Sequence, residues 1–226
     1  MKDEQALKNN VFGRTSAVGA IVSDATYNLV IGLVLCWGLL VNWLIVCYVS
    51  PAWLSSINIW LFLIIYFASC FYGIYLFNKY TEPAISFIGY NFVVVPFGLV
   101  VNMIVSQYEP TLVLEAIQIT AMVTVVMMIL GSAFPKFFQS IYRGLFLALL
   151  AVIIIELFQI FILKRHSDWI DWAVVLIFCG YIGYDWGRAN RIPKTIDNAI
   201  DSAAAIYMDI INLFVRILRI LGRRRG

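Results

Sequence analysis

Residues 206–214 read IYMDIINLF, an oily run interrupted by a carboxylate, Asp209, and an amide, Asn212. On a helical projection Asn198, Ser202, Ala205, Asp209, Asn212, Arg216 and Arg219 follow one another in steps of three and four, forming one polar stripe. Ile206, Met208, Ile210, Ile211, Leu213 and Phe214 fill the remaining faces. A helix with one polar stripe on an otherwise lipid-like surface belongs in the middle of a bundle, its stripe against something polar. The rest of the chain agrees. Of its 226 residues, 62% are hydrophobic and 13% charged, about half the charged share of a soluble domain.

Working outward, seven apolar segments can be read, at 26–48, 56–77, 84–105, 112–132, 144–163, 169–187 and 203–221. Most have the ~20-residue length that crosses a hydrocarbon core at about 1.5 Å per residue. The connections SPAWLSS, NKYTEP, SQYEPT, AFPKFFQS, KRHSD and RANRIPKTIDN are short and rich in turn formers. The expectation is an all-α integral membrane protein: a seven-transmembrane helical bundle with a central C-terminal helix, spanning 24–226 behind a cytosolic tail at 1–23. Tyr27, Tyr48, Trp53, Tyr80, Tyr108, Trp169 and Trp172 stand at segment ends, where interfacial aromatic belts form. Cys36, Cys47, Cys70 and Cys179 fall inside apolar runs and read as small buried side chains, not disulfide or metal partners.

Lysine and arginine set the orientation. With the N-terminus inside, the inner segments hold Lys2, Lys8, Arg14, Lys79, Lys136, Arg143, Arg188, Arg191 and Lys194, and the outer loops only Lys164 and Arg165. The expected N-terminus is therefore cytoplasmic. Short loops favour a bacterial inner membrane. After a seventh crossing, however, Arg216, Arg219, Arg223, Arg224 and Arg225 would lie at or beyond the outer face. The basic residues sit at span ends, which gives no ground for a nucleic-acid partner; membrane lipid is the expected surroundings.

Charged groups at membrane depth are costly and normally face protein or a wet cavity. Three carboxylates invite that reading: Asp209, Asp185 and Glu156. Asp185 and Asp209 are symmetric about residue 197, inside the polar connection that follows Pro193. Antiparallel helices turning there bring the two carboxyls level. Alternatively, Asp185 pairs with Arg188 three residues on. Two carboxyls in contact share a proton and split their titrations, which makes a pH sensor that can also attract a divalent cation; calcium prefers oxygen ligands of this kind. Glu156, with Gln159 one turn on, reads as facing the interior, either on an ion path or in hydrogen-bonded packing; Glu115 and Asp171, near segment ends, read as solvated.

The stretches FCGYIGYDWGRANRI (178–192) and SAAAIYMDIINLFVRILRILGRRR (202–225) resemble the last two helices of the Bax inhibitor-1 family, with IYMDIINLFVRILR set against a LYLDFINLFLxLLR-like pattern. AIQITAMVTVVMMILGSAF is similar to the family's fourth helix. The resemblance implies seven helices around a central last one, and a calcium leak across the membrane gated by protons through paired aspartates. Carried onto this chain the pair is Asp185 and Asp209, a transient calcium site, with Glu156, Asn212 and Arg216 as auxiliary polar lining. Calcium ions and protons are then the expected partners, with no bound cofactor. One departure is plain: bacterial relatives place an arginine in the second helix as a latch for the sixth-helix aspartate, and INIWLFLIIYFASCFYGIYLF contains no basic residue.

Other classes fit less well. A retinal protein needs a lysine in its last helix, and none follows Lys194; membrane serine or zinc proteases need a membrane histidine, and His166 lies in a loop. No enzyme is expected. A proton-coupled transporter of a small solute or ion also uses paired carboxylates, and a membrane interaction or stress-regulatory protein without ion flux would carry the same residues structurally.

Overall fold

A computed structural model describes residues 19–159, 162, 164 and 168–225. Most of the expected tail, with Lys2, Lys8 and Arg14, lies outside the described residues, as do Arg165 and His166 and the side chains of Arg224 and Arg225. The described residues form helices and no strand: α1 (Asp24–Tyr48), α2 (Pro51–Ser56), α3 (Ile59–Lys79), α4 (Pro83–Val105), α5 (Pro110–Ala133), α6 (Pro135–Phe158), α7 (Asp168–Ala189) and α8 (Ile196–Arg225).

Proline starts four of them. Pro51, Pro83, Pro110 and Pro135 each sit in the first turn of a helix, where the missing N–H is not needed and the fixed φ suits the helix. This explains two differences from the sequence reading. SPAWLSS, read as a connection, contains the short α2, and AFPKFFQS, also read as a connection, opens α6 at Pro135. Elsewhere side chains cap the start: Ser23 accepts from the Thr26 N–H at 3.2 Å, and Asn58 from those of Trp60 and Leu61 at 2.9 and 3.3 Å.

Five helices are long and apolar enough to cross a membrane: α1, α3, α4, α5 and α6. Large apolar side chains point outward along them, among them Leu33, Trp43, Ile64, Phe71, Met122, Ile129, Leu147 and Ile154, a surface suited to lipid and untenable in water. The all-α membrane class is therefore what the chain adopts. Of the seven expected spans, α7 and α8 do not qualify by length and composition. On α7, Trp169, Trp172 and Leu176 are exposed, and among the described residues no large hydrophobic beyond Leu176 is. Cys36 and Cys47, expected to be buried, are exposed free thiols on the apolar surface, and Cys70 and Cys179 are half-buried.

The helices form two compact units. The first holds α1–α4 up to Gln107, together with Arg191–Tyr207. In it α4 packs on α1 and α3. Pro96 sits inside α4 and leaves the Phe92 carbonyl without its helical donor; Ser69 of α3 supplies one, its Oγ 2.7 Å away. Asn102 of α4 gives its amide to the Ile45 and Val49 carbonyls at 3.2 and 2.8 Å, satisfying the end of α1. The first half of α8 is held by polar contacts: Tyr27 with the Asn198 carbonyl and the Ser202 hydroxyl (3.3 and 3.2 Å), Asn42 with Tyr207 (2.7 Å), and Ser86 with Asp197 (2.5 Å). Tyr27 is thus fully buried and not part of an interfacial belt.

The second unit holds Tyr108–Asn190 and Met208 onward. Here α7 packs against both α5 and α6. The approach of α5 to α7 is close enough that a Cβ on Gly131 would strike the Gly183 carbonyl, and one on Gly187 would stand 2.9 Å from the Gly131 carbonyl. Trp186 ties the same two helices, donating to Ser132 Oγ at 2.8 Å. The result is a tightly fixed α7, and α7 carries Asp185.

Candidate functional site

Asp185 on α7 and Asp209 on α8 meet in the second unit, their carboxyl groups in hydrogen-bond contact. They are 9% and 7% exposed. The polar turn before α8 is pinned locally: the Asn198 amide donates to the Pro193 carbonyl at 2.8 Å, and Thr195 Oγ1 accepts from the Asn198 N–H at 3.2 Å. Arg188 lies near Asp185, and Tyr142 and Tyr181 are also close to it. Tyr142 stacks on Tyr184 at 4.4 Å between ring centroids and meets Tyr181 edge-on at 6.3 Å. Oδ2 of Asp209 has no hydrogen-bond partner among the described residues.

Chemically, this contact survives only with a proton between the two groups, because two ionised carboxylates would repel. Calcium takes about six to eight oxygen ligands. Two carboxylates supply only part of that set, and no group of three or more His, Cys, Asp or Glu able to hold a metal occurs among the described residues.

A second set of charges surrounds Arg216. Its guanidinium grips Glu156 of α6 through two bonds, Nη1–Oε1 at 2.8 Å and Nη2–Oε2 at 2.7 Å, and Asp171 of α7 at 2.8 Å. Arg219 reaches Glu156 at 3.3 Å, and Arg223 reaches Asp171 Oδ2 at 2.6 Å. Asp171, expected to be solvated, is 0% exposed; it is a hub of the ion pairs, and three arginines explain why it can be buried. Glu115 is half-buried. Glu156 faces the interior and lies in this cluster. Asn212 turns back on its own helix, donating to the Met208 carbonyl at 2.8 Å.

The cluster accounts for three of the awkward arginines near the end of α8. Arg216, Arg219 and Arg223 meet Glu156, near the end of α6, and Asp171, near the start of α7. A signal for this was available in the sequence. Residues 171 and 223 are symmetric about 197, just as 185 and 209 are, so the hairpin that pairs the aspartates also pairs Asp171 with Arg223. Tyr142 had no comparable signal, since it comes from a different helix, α6.

Comparison with known proteins agrees with this architecture. The family model described as inhibitor of apoptosis-promoting Bax1 matches residues 21–226. The chain is 29% identical over 133 residues to an uncharacterized membrane protein of Streptococcus pyogenes serotype M3, covering 56% of this chain and 58% of that protein. It is 27% identical over 141 residues to the inner membrane protein YbhL of Escherichia coli K12, covering 57% and 59% respectively. Against an uncharacterized protein of Helicobacter pylori J99 the identity is 27% over 122 residues, 54% of this chain and 52% of that one. The chain thus spans between half and three-fifths of the length of these relatives. With a family match running through nearly all its length and an all-helical membrane architecture, the chain belongs to the Bax inhibitor-1 family.

Proposed function

We propose that this protein is a pH-sensitive calcium leak, a non-enzymatic pathway along the polar stripe of α8 gated by the proton shared between Asp185 and Asp209. The observation that carries the reading is the buried contact of the two carboxyls. Burial makes the doubly ionised state costly, so the proton occupancy of the pair is coupled to how α7 and α8 approach each other. A missing latch arginine on α3 leaves Arg188 as the cation beside Asp185. The membrane is a bacterial inner membrane, as the name of the inner membrane protein YbhL suggests, with the N-terminus in the cytoplasm as the lysine and arginine distribution favours.

The test is calcium entry into dye-loaded proteoliposomes between pH 5 and 8, comparing the wild type with Asp185→Asn and Asp209→Asn. A pH-dependent leak that either substitution flattens supports the gate. A wild type tight at every pH removes the leak reading, and saturable uptake of a solute driven by a proton gradient would replace it with transport.

A further inference from the structure

Arg216 lies seven residues beyond Asp209 on the same stripe of α8, about 10 Å further along the axis and at nearly the same angular position. On the leak reading, an ion leaving the aspartate pair along that stripe passes Asn212 and then meets a guanidinium, among buried charges. Arg216 is 17% exposed and Glu156 14%, while Asp171 is fully buried. The ion pairs join three guanidiniums, those of Arg216, Arg219 and Arg223, to two carboxylates. Arg216, Glu156 and Asp171 are buried enough for charge to act strongly, while Arg219 and Arg223 are about a third exposed. Just past the end of α6, Gln159 is 7% exposed and its Oε1 has no partner among the described residues.

We propose that the Arg216 cluster is the charge-selectivity element of the pathway, with the guanidiniums raising a barrier to cations and Glu156 and Asp171 lowering it. This inference rests on the leak reading. Arginines lining a constriction exclude cations through their field, and carboxylate rings admit them. The balance between the two sets the ease with which a dication passes. The aspartate pair then decides when the path is open, and the cluster decides what passes and how fast.

A structural cross-link would behave differently, and the difference is one of sign. If the ion pairs merely fasten α6, α7 and α8, removing either partner loosens the helices and both changes raise flux alike. If the cluster is a charge barrier, the two changes oppose each other. The experiment measures calcium and chloride entry into dye-loaded proteoliposomes for the wild type, Glu156→Gln, Arg216→Gln, Arg216→Lys and Arg219→Gln. Each is first checked for monodisperse elution and helical circular dichroism.

Arg216→Gln is expected to raise calcium entry, on the order of tenfold, and to lower chloride entry. Glu156→Gln is expected to do the reverse, and Arg216→Lys to resemble the wild type in its calcium-to-chloride ratio. Arg219→Gln, at the more exposed rim, should follow Arg216→Gln with a smaller change and carries the test if Arg216→Gln does not fold. A leaky wild type whose Glu156→Gln and arginine variants all shift in one direction, or not at all, overturns the selectivity element alone. Wild type and all variants tight to calcium overturn the leak reading and this inference with it.

Discussion

Asp171 Oδ2 accepts from Arg223 Nη2 at 2.6 Å, while its other oxygen faces Arg216 at 2.8 Å. One carboxylate near the start of α7 thus holds two guanidiniums that lie about two turns apart on α8. Removing it takes a carboxylate from both, while Arg216 keeps its two bonds to Glu156 and Arg223 is 35% exposed. Asp171→Ala is therefore expected to cost about 1–3 kcal/mol, less than the loss of one side of a fully buried isolated pair. Asp171→Asn, which keeps an acceptor, is expected to cost less. Unfolding of the purified protein by increasing mole fractions of dodecyl sulfate measures both. A wild-type midpoint for Asp171→Ala would contradict the role of hub.

The Phe92 carbonyl, deprived of its donor by Pro96, depends on Ser69. Ser69→Ala is expected to lower stability by about 1 kcal/mol. In a Pro96→Ala background the restored helical N–H takes over, and the same substitution should become nearly neutral. A double-mutant cycle in the same unfolding assay reads the coupling; additive effects would mean that the hydroxyl does not replace the helical bond.

Gly131 has no room for a side chain, because the obstacle is the Gly183 carbonyl, which is backbone and cannot rotate away. Gly131→Ala should therefore cost about 1–3 kcal/mol and push α7, with Asp185 two residues past the contact, out of register with α8. Its flux should lose pH dependence along with stability. Gly144, where an added methyl would meet nothing within 4 Å, is the control: Gly144→Ala should be neutral or stabilising by up to about 1 kcal/mol.

The shared proton also makes a stability prediction. The carboxyl contact is favourable while one proton remains and becomes a repulsion when both groups ionise, so its contribution is present at low pH and lost as pH rises. Stability of the wild type relative to Asp209→Asn should fall between pH 5 and 9, because the amide cannot ionise and keeps a hydrogen bond to Asp185 throughout. Thermal midpoints of the two proteins across that range test it. A constant difference would mean that the two groups do not exchange a proton within it.

The sequence reveals this architecture unevenly. Apolar runs on α1, α3, α4 and α5 place those helices to within a few residues, because lipid-facing surface must be apolar along its full length. Symmetry about residue 197 brings Asp185 to Asp209 without any knowledge of the other helices. What hydropathy misreads is polarity that is buried. The opening of α8, with Asp197 and Asn198, looks like part of a connection, yet both side chains are buried. Asp171 looks solvated for the same reason. A carboxylate's cost depends on the partner that meets it, and Arg216 and Arg223 are distant in sequence.

The ion pairs of α8 bear on how the chain is inserted as it is made. Too polar to be handed to lipid on its hydropathy, α8 has to enter alongside neighbours that neutralise it. Those neighbours precede it in the chain. Glu156 and Asp171 precede Arg216, Arg219 and Arg223 in the chain, so the carboxylates are made before the arginines that pair with them, an order that favours entry of α8 against α6 and α7 over entry into lipid alone.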